Sequence, residues 1–314
     1  PQSILETPNR PSSHGRNQFV LDFSNPEVVI YVYNMMTEVI DKANISYIKW
    51  DMNRCMTEVY SSCHDSESQG RVMHEYILGV YQLYELLTNR FPEILFESCA
   101  SGGARFDPGM MYYAPQCWTS DDTDALERLK IQYGTSMVYP VSSLGAHVSA
   151  APNHQLLRNT PIETRANVAY FGTFGYELDL NKLNMDEQIK VKEQITFMKD
   201  YREIIQFGTF YRLKSPFEGN ETVWMVLSQD QNTAIIGYYR TLQEVNVGYR
   251  RVKLLGLDPD KEYHVNLNNT VHYGDELMNL GLITTDSSCG ENKEKYDGTN
   301  GDYLSRIYVL KAKI

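Results

Sequence analysis

Apolar positions recur along this chain with two different periods, and the change falls near residue 207. In residues 28–43, Val29, Val32, Tyr33, Met36, Val39 and Ile40 lie three and four apart, which predicts an amphipathic helix. Asn25-Pro26-Glu27 is a start signal for it: an N-cap amide, a proline where no N–H is needed, and an acid at the positive helix end. Short apolar runs at 20–23 and 45–51 predict strands on either side. A second helix, 70–90, places Val72, Tyr76, Val80, Leu83, Leu86 and Leu87 on one side. Then come strand 94–97, a glycine-rich loop, strand 116–120, helix 124–133 and strand 136–139. A long loop with His147 and His154 leads to helix 162–171, strand 175–178 and helix 185–206. Strands separated by helical crossovers of a dozen or more residues predict a parallel β/α architecture.

Beyond residue 207 the runs are short and alternating: 209–213, 222–227, 233–239, 252–255, 263–266 and 304–312, punctuated by Gly, Asn, Asp and Pro. They predict an antiparallel β-sandwich of roughly 100 residues. The expected division is a β/α barrel portion at 1–206 and a β-sandwich at 207–314. A net charge of -11 argues against nucleic acid and anionic membrane surfaces as partners. The chain has no 18-residue apolar run and no leader pattern, so no membrane span and a cytoplasmic location are expected. Its 23 tyrosines suit either sugar stacking or plain packing. The 5 cysteines, an odd number, read as free thiols in a reducing compartment. Cys55, Cys63, His64 and His74 lack CxxC or HExxH spacing, so no metal is expected.

Polar residues at the C-terminal ends of parallel strands face a common mouth. Here they are Asp22; Lys49, Asp51 and Asn53; Glu97, Ser98 and Cys99; Ser120, Asp121 and Asp122; then His147, Glu177 and Asp179. Lys49, Asp51 and Asn53 alternate and are expected on one face, with Lys49 keeping Asp51 ionised. Asp51 as nucleophile and Asp51 as half of a structural ion pair stand level on these residues alone. Asp51 and Asp121 end strands two apart, a separation that suits two acids flanking a glycosidic bond. One of them must stay ionised while the other, raised by burial or by Asp122 or Asp124, carries a proton. For Asp122 and Asp124, capping of the following helix is the favoured reading; Asp121 stays open. In Cys99–Gly109 the glycines admit close backbone approach, Arg105 is a candidate support for a carboxylate, and Cys99 is a pocket-lining thiol.

KWDMNR (Lys49–Arg54), ESCASGGARFDPGM (Glu97–Met110), WTSDDTDALER (Trp118–Arg128) and HGRNQFVLDF (His14–Phe23) resemble blocks of the α-galactosidases of glycoside hydrolase family 36. The resemblance runs from about residue 10 to the end. It implies a TIM-type (β/α)8 barrel followed by a β-sandwich, and a retaining exo-α-galactosidase acting on melibiose- and raffinose-type sugars. Asp51 would be the nucleophile and Asp121 the acid/base, with Arg16, Lys49, Asn53, Cys99 and Gly102 binding galactose. Trp50 would pack in the barrel core or flank the subsite. The resemblance also implies a homotetramer without cofactors. Family members carry a β-sandwich, the first barrel strands and further sugar-binding acids ahead of this region. The chain is therefore expected to enter about three strands into the barrel, to be part of a larger protein, and to need that part for activity. Two alternatives share these residues: a transgalactosylase of the raffinose-synthase type, and a non-catalytic carbohydrate-binding fragment.

Overall fold

The computed structural model describes residues 3–245, 248–267, 269–284 and 301–313. Contacts divide the chain into two compact units, Pro1–Asp121 and Asp122–Ile314.

In the first unit, helix α1 (Pro26–Lys42) starts where its cap signals place it, with Asn25 accepting the N–H of Glu27 at 2.9 Å. Strand β1 (Tyr47–Trp50) follows, then helix α2 (Val72–Arg90), strand β2 (Leu95–Ser98), helix α3 (Pro108–Tyr113) and strand β3 (Gln116–Cys117). The three strands form one parallel sheet in the order β1-β2-β3, with Lys49 opposite Glu97 and Glu97 opposite Gln116. Val28, Val29 and Ile40 of α1 share a core with Val72, Tyr76, Val80, Leu83, Tyr84 and Leu87 of α2 and Phe96 of β2. Trp50 stacks against Tyr84 at 4.4 Å and belongs to this core.

Among the described residues, 20–23, expected as a strand, make a single bridge, Ile4 to Leu21. Asp22 is fully buried and folds back on the chain, accepting the Ser24 N–H at 3.1 Å and its hydroxyl at 2.5 Å. That local turn competes with a ladder. Helix α3 lies inside the stretch read as a glycine-rich loop; Asp107 caps it by accepting the Met110 N–H at 2.9 Å.

The second unit opens with helix α4 (Ala125–Thr135), strand β4 (Gly145–Ser149), helix α5 (Ile162–Ala169), strand β5 (Thr173–Glu177) and helix α6 (Met185–Phe207). Strands β4 and β5 pair in parallel. The strand expected at 136–139 is absent: Ser136 closes α4 and Met137 and Val138 are exposed. The strand of this stretch is β4, whose glycine, alanine and serine disguised it as loop, although four of its five positions are buried. Helix α6 begins with a capping box between Asn184 and Glu187.

Strands β6 (Thr209–Lys214), β7 (Glu221–Leu227), β8 (Thr233–Arg240), β9 (Arg251–Val252), β10 (Glu262–Val265) and β11 (Thr270–Tyr273) follow. Helix α7 (Gly274–Asn279), strand β12 (Leu282–Ile283) and strand β13 (Leu304–Ala312) complete the chain. Six strands form an antiparallel sheet ordered β11-β10-β13-β8-β7-β6, and β9 pairs with β12. The sequence reading missed β11, α7 and β12, which are too short for a period to show.

Strict alternation gives the large sheet two buried faces. Val223, Met225, Ile236, Tyr238, Tyr263 and Tyr308 pack with Val252, Leu254, Leu277 and Leu282. Trp224, Val226, Ile235 and Tyr239 pack on the other side with Ala166, Phe171, Met198 and Ile205. The parallel β/α elements after Asp121 and the antiparallel sheet therefore share one core, which is why the second unit runs across the change of pattern at Thr209. Gly237 makes this packing possible, because a Cβ there would sit 2.8 Å from both the Phe171 ring and the Trp224 indole nitrogen.

At the centre of that core the Tyr239 hydroxyl donates to the Asn167 carbonyl at 2.5 Å and accepts the Trp224 indole N–H at 2.9 Å. Tyr239→Phe strands both buried partners, so it is expected to destabilise the protein by about 1–3 kcal/mol. Denaturant unfolding measures this, and Trp224 fluorescence should report the same transition.

Candidate active site

Asp51 is the first residue beyond β1. The sheet's hydrogen bonding continues past the strand ends: the Cys99 N–H donates to the Trp50 carbonyl at 2.9 Å and the Met52 N–H to the Cys99 carbonyl at 3.2 Å. This sets Cys99 beside Asp51. The Asp51 carboxylate accepts the Asn53 amide at 2.6 Å, the Ser101 backbone N–H at 3.3 Å and the Cys99 thiol. Burial by itself would raise this carboxyl; these donors and the Met52 N–H outweigh it and hold it below the ordinary aspartate value. Burial pushes the Cys99 thiol up to about 12, so it stays protonated and donates.

The leading groups that lower Asp51 are these hydrogen-bond donors rather than Lys49. Its ammonium lies 3.5 Å from Glu97 and 4.7 Å from the centre of the Trp118 ring. Lys49 and Asp51, two apart along this continued ladder, both border one cavity, but their side chains reach different partners. Arg105 does not support a carboxylate either; it donates to the Cys99 carbonyl at 3.0 Å.

The turn after Cys99 is built on left-handed backbone, with φ of +50° at Ser101 and +85° at Gly102. This conformation aims the Ser101 N–H at Asp51. A Cβ on Gly102 would lie 2.7 Å from the Ser120 Cα, and one on Gly103 would lie 2.9 Å from the Thr119 carbonyl oxygen. The turn that caps Asp51 thus packs backbone to backbone on the residues just before Asp121. Strand β3 stops at Cys117, earlier than expected, so Asp121 stands in the following loop. Its carboxylate accepts the Trp118 indole N–H at 3.1 Å. Asp124 is the residue that caps α4, accepting the N–H groups of Leu126 and Glu127, and Asp122 accepts the Asp124 N–H at 3.0 Å.

Arg16 and Asn17 both have positive φ, +52° and +59°, at the tip of a tight turn closed by backbone bonds between Gly15 and Gln18. The Arg16 side chain is exposed. Arg54, buried beneath the turn, donates to the Ser13 carbonyl at 2.8 Å, the Gln18 carbonyl at 3.2 Å and Glu58 at 3.1 Å. Glu58 also accepts the Ser13 hydroxyl at 2.6 Å and its N–H at 3.1 Å, and chiefly these bonds bring it down to about 2. Arg54 and Glu58 therefore buckle the Arg16 turn to the loop that carries Asp51 and Asn53. The sequence reading held Arg54 only as the last letter of a motif. A cavity of about 400 Å³ is bordered by Gln18, Lys49, Asp51 and Arg54 among apolar side chains.

Cys63 and His64 serve the Asp22 turn: the His64 imidazole lies 3.1 Å from the Ser24 hydroxyl and 3.3 Å from Glu75. Among the described residues, no three His, Cys, Asp or Glu side chains converge as metal ligands, and no helix is long and apolar enough to cross a membrane. Cys55, Cys63, Cys99 and Cys117 are free thiols; Cys289 lies outside the described residues. In the second unit His147 and Glu177 pair at 3.3 Å, and Asp179 caps a short turn by accepting the Asn181 N–H.

Asn53→Ala removes the 2.6 Å hydrogen bond to Asp51, so the ionisation midpoint of that carboxyl should move to higher pH. Carboxyl-carbon NMR with 13C-labelled aspartate measures it; an unmoved midpoint would show that the Asn53 bond does not matter.

Residues 1–208 match the melibiase family model, and residues 221–310 match the glycosyl hydrolase family 36 C-terminal domain. Over 99% of its length the chain is 50% identical to α-galactosidase AgaA of Geobacillus stearothermophilus and covers 41% of that enzyme. It is 43% identical to α-galactosidase Mel36A of Lactobacillus acidophilus, again covering 41% of the relative. The crystal structure of the Geobacillus enzyme superposes with a TM-score of 0.93 at 49% identity, over 99% of this chain and 42% of that one. Variants of that enzyme have been solved with raffinose and with stachyose. The chain thus spans about two-fifths of the length of the curated relatives it matches. Its fold class is theirs, a parallel β/α barrel of TIM type followed by a C-terminal antiparallel sheet domain. This chain belongs to the melibiases, the α-galactosidases of glycoside hydrolase family 36.

Proposed function

We propose that the protein carrying this chain is a retaining exo-α-galactosidase that removes terminal α-galactosyl residues from melibiose- and raffinose-type sugars. One observation carries the reading. The turn that donates to Asp51 packs directly on the backbone leading into Asp121, joining an ionised carboxylate to a second acid. Relatives crystallised with raffinose and stachyose support the substrate class.

In this mechanism an Asp51 oxygen attacks the anomeric carbon while Asp121 gives its proton to the departing glycosidic oxygen. A covalent galactosyl-Asp51 and a free sugar result. Asp121, now a carboxylate, takes a proton from water as that water attacks the same carbon, which frees galactose and restores both acids. Two inversions retain the configuration, and the chemistry needs the carboxyl groups roughly 5–5.5 Å apart. Arg16, Lys49, Asn53, Cys99 and Gly102 supply sugar contacts. The Cys99 thiol, protonated at neutral pH, acts as a hydrogen-bond donor rather than as a competing nucleophile. The same reading takes the enzyme as a cytoplasmic homo-oligomer working without metal or nucleotide.

The test uses the full-length product of the gene that encodes this chain. Asp51→Asn should abolish hydrolysis of aryl α-galactosides and regain turnover with azide as β-galactosyl azide. Near-normal turnover in this variant would remove Asp51 as nucleophile. Asp121→Asn should cost on the order of 10²–10⁴ in rate on sugars with poor leaving groups. Gly102→Ala adds left-handed strain of about 1–2 kcal/mol and forces the two loops apart. Its expected cost in kcat is on the order of 100-fold, with the protein still folded. Steady-state kinetics alongside thermal unfolding will show whether that holds.

A further inference from the structure

The Trp118 indole is 3% exposed and fixed by its own backbone, whose N–H donates to the Ser98 carbonyl at 2.9 Å. It meets two charged groups at once. Lys49 sits over the ring face at 4.7 Å, and the indole N–H donates to Asp121 Oδ1 at 3.1 Å. Behind Lys49 lies Glu97, 2% exposed. It pairs with the ammonium at 3.5 Å and accepts the Gln116 amide at 3.2 Å and the Tyr47 hydroxyl. The three positions derive from neighbouring strands in register, Lys49 on β1 opposite Glu97 on β2, with Trp118 one residue past β3.

We propose that Trp118 is a positioning residue that fixes the Lys49 ammonium with its ring face and the Asp121 carboxyl with its N–H. This rests on the acid/base assignment of Asp121 made above and extends it. An indole N–H can only donate, so it occupies Oδ1 as an acceptor and leaves Oδ2 as the oxygen that carries the transferable proton. The proton delivered to the glycosidic oxygen leaves from Oδ2, and Oδ1 keeps its bond to the indole throughout. A cation over an indole face is attracted by the ring quadrupole. Glu97 supplies the buried counter-charge that keeps Lys49 there. One rigid ring thus sets the spacing between a sugar-binding cation and the general acid.

The experiment compares two substrates in the full-length protein: an unactivated disaccharide α-galactoside, whose leaving oxygen needs a proton, and a dinitrophenyl α-galactoside, whose leaving group does not. The quantity read is kcat/KM, which reports the step that forms the glycosyl-enzyme. Trp118→Phe keeps a ring over Lys49 and removes the N–H. It should lower kcat/KM on the disaccharide at least about tenfold more than on the dinitrophenyl substrate. Trp118→His, which keeps a ring N–H, should recover part of that difference; it carries the comparison if the phenylalanine variant does not fold. Equal losses on both substrates, or no loss on either, would overturn the proposal. Asp121→Asn run in parallel separates the two ideas: a variant that shows no leaving-group dependence removes the acid/base assignment itself.

Discussion

The contact on which the first unit depends is the approach of Gly102 to Ser120, so close that a single methyl group would stand 2.7 Å from the Ser120 Cα. Two loops from adjacent strands can meet backbone to backbone only where side chains are missing from the surface between them. Ser101 accepts an unfavourable left-handed φ beside it, and that strain has a use, because it turns the Ser101 N–H onto Asp51. The ionised state of Asp51 and the placement of the Asp121 segment are two consequences of the same turn.

Asp51 is held below the ordinary aspartate value chiefly by hydrogen bonds. Donors from Cys99, Asn53 and two backbone groups outweigh the effect of burial. This frees Lys49 to face Glu97 and Trp118, so its charge is matched by a buried acid instead of by the proposed nucleophile. Arg54 and Glu58 act at one remove, fastening the Arg16 turn to the loop after β1. The second unit obeys a simpler constraint. Its long strands alternate so strictly that one sheet is buried on both faces, and one of those faces receives the helices of the parallel region.

Much of this was legible from local pattern. The start of α1, the extent of α6, the period of α2 and the run of β13 each follow from rules that act within a few residues. The motifs around Asp51, Cys99 and Asp121 carried the family. The errors have different causes. Residues 20–23 look like a strand, but buried Asp22 folds them into a turn. Residues 145–149 look like a loop, but burial between helices makes small side chains suitable for β4. Short elements such as α3, β11 and α7 carry too few residues for a period to show.

The sequence by itself determined the family, because its motifs are set by residue type and order, and with the family the residues proposed to bear the chemistry. Only the tertiary structure decided what each of them touches. Lys49 and Asp51 are two residues apart in a run that reads as one strand. The neighbouring strand and the turn after it offer them different partners, Glu97 to Lys49 and Cys99, Asn53 and Ser101 to Asp51. Hydrogen-bond partnership depends on distances of tenths of an ångström between loops 50 residues apart, and no local period encodes that.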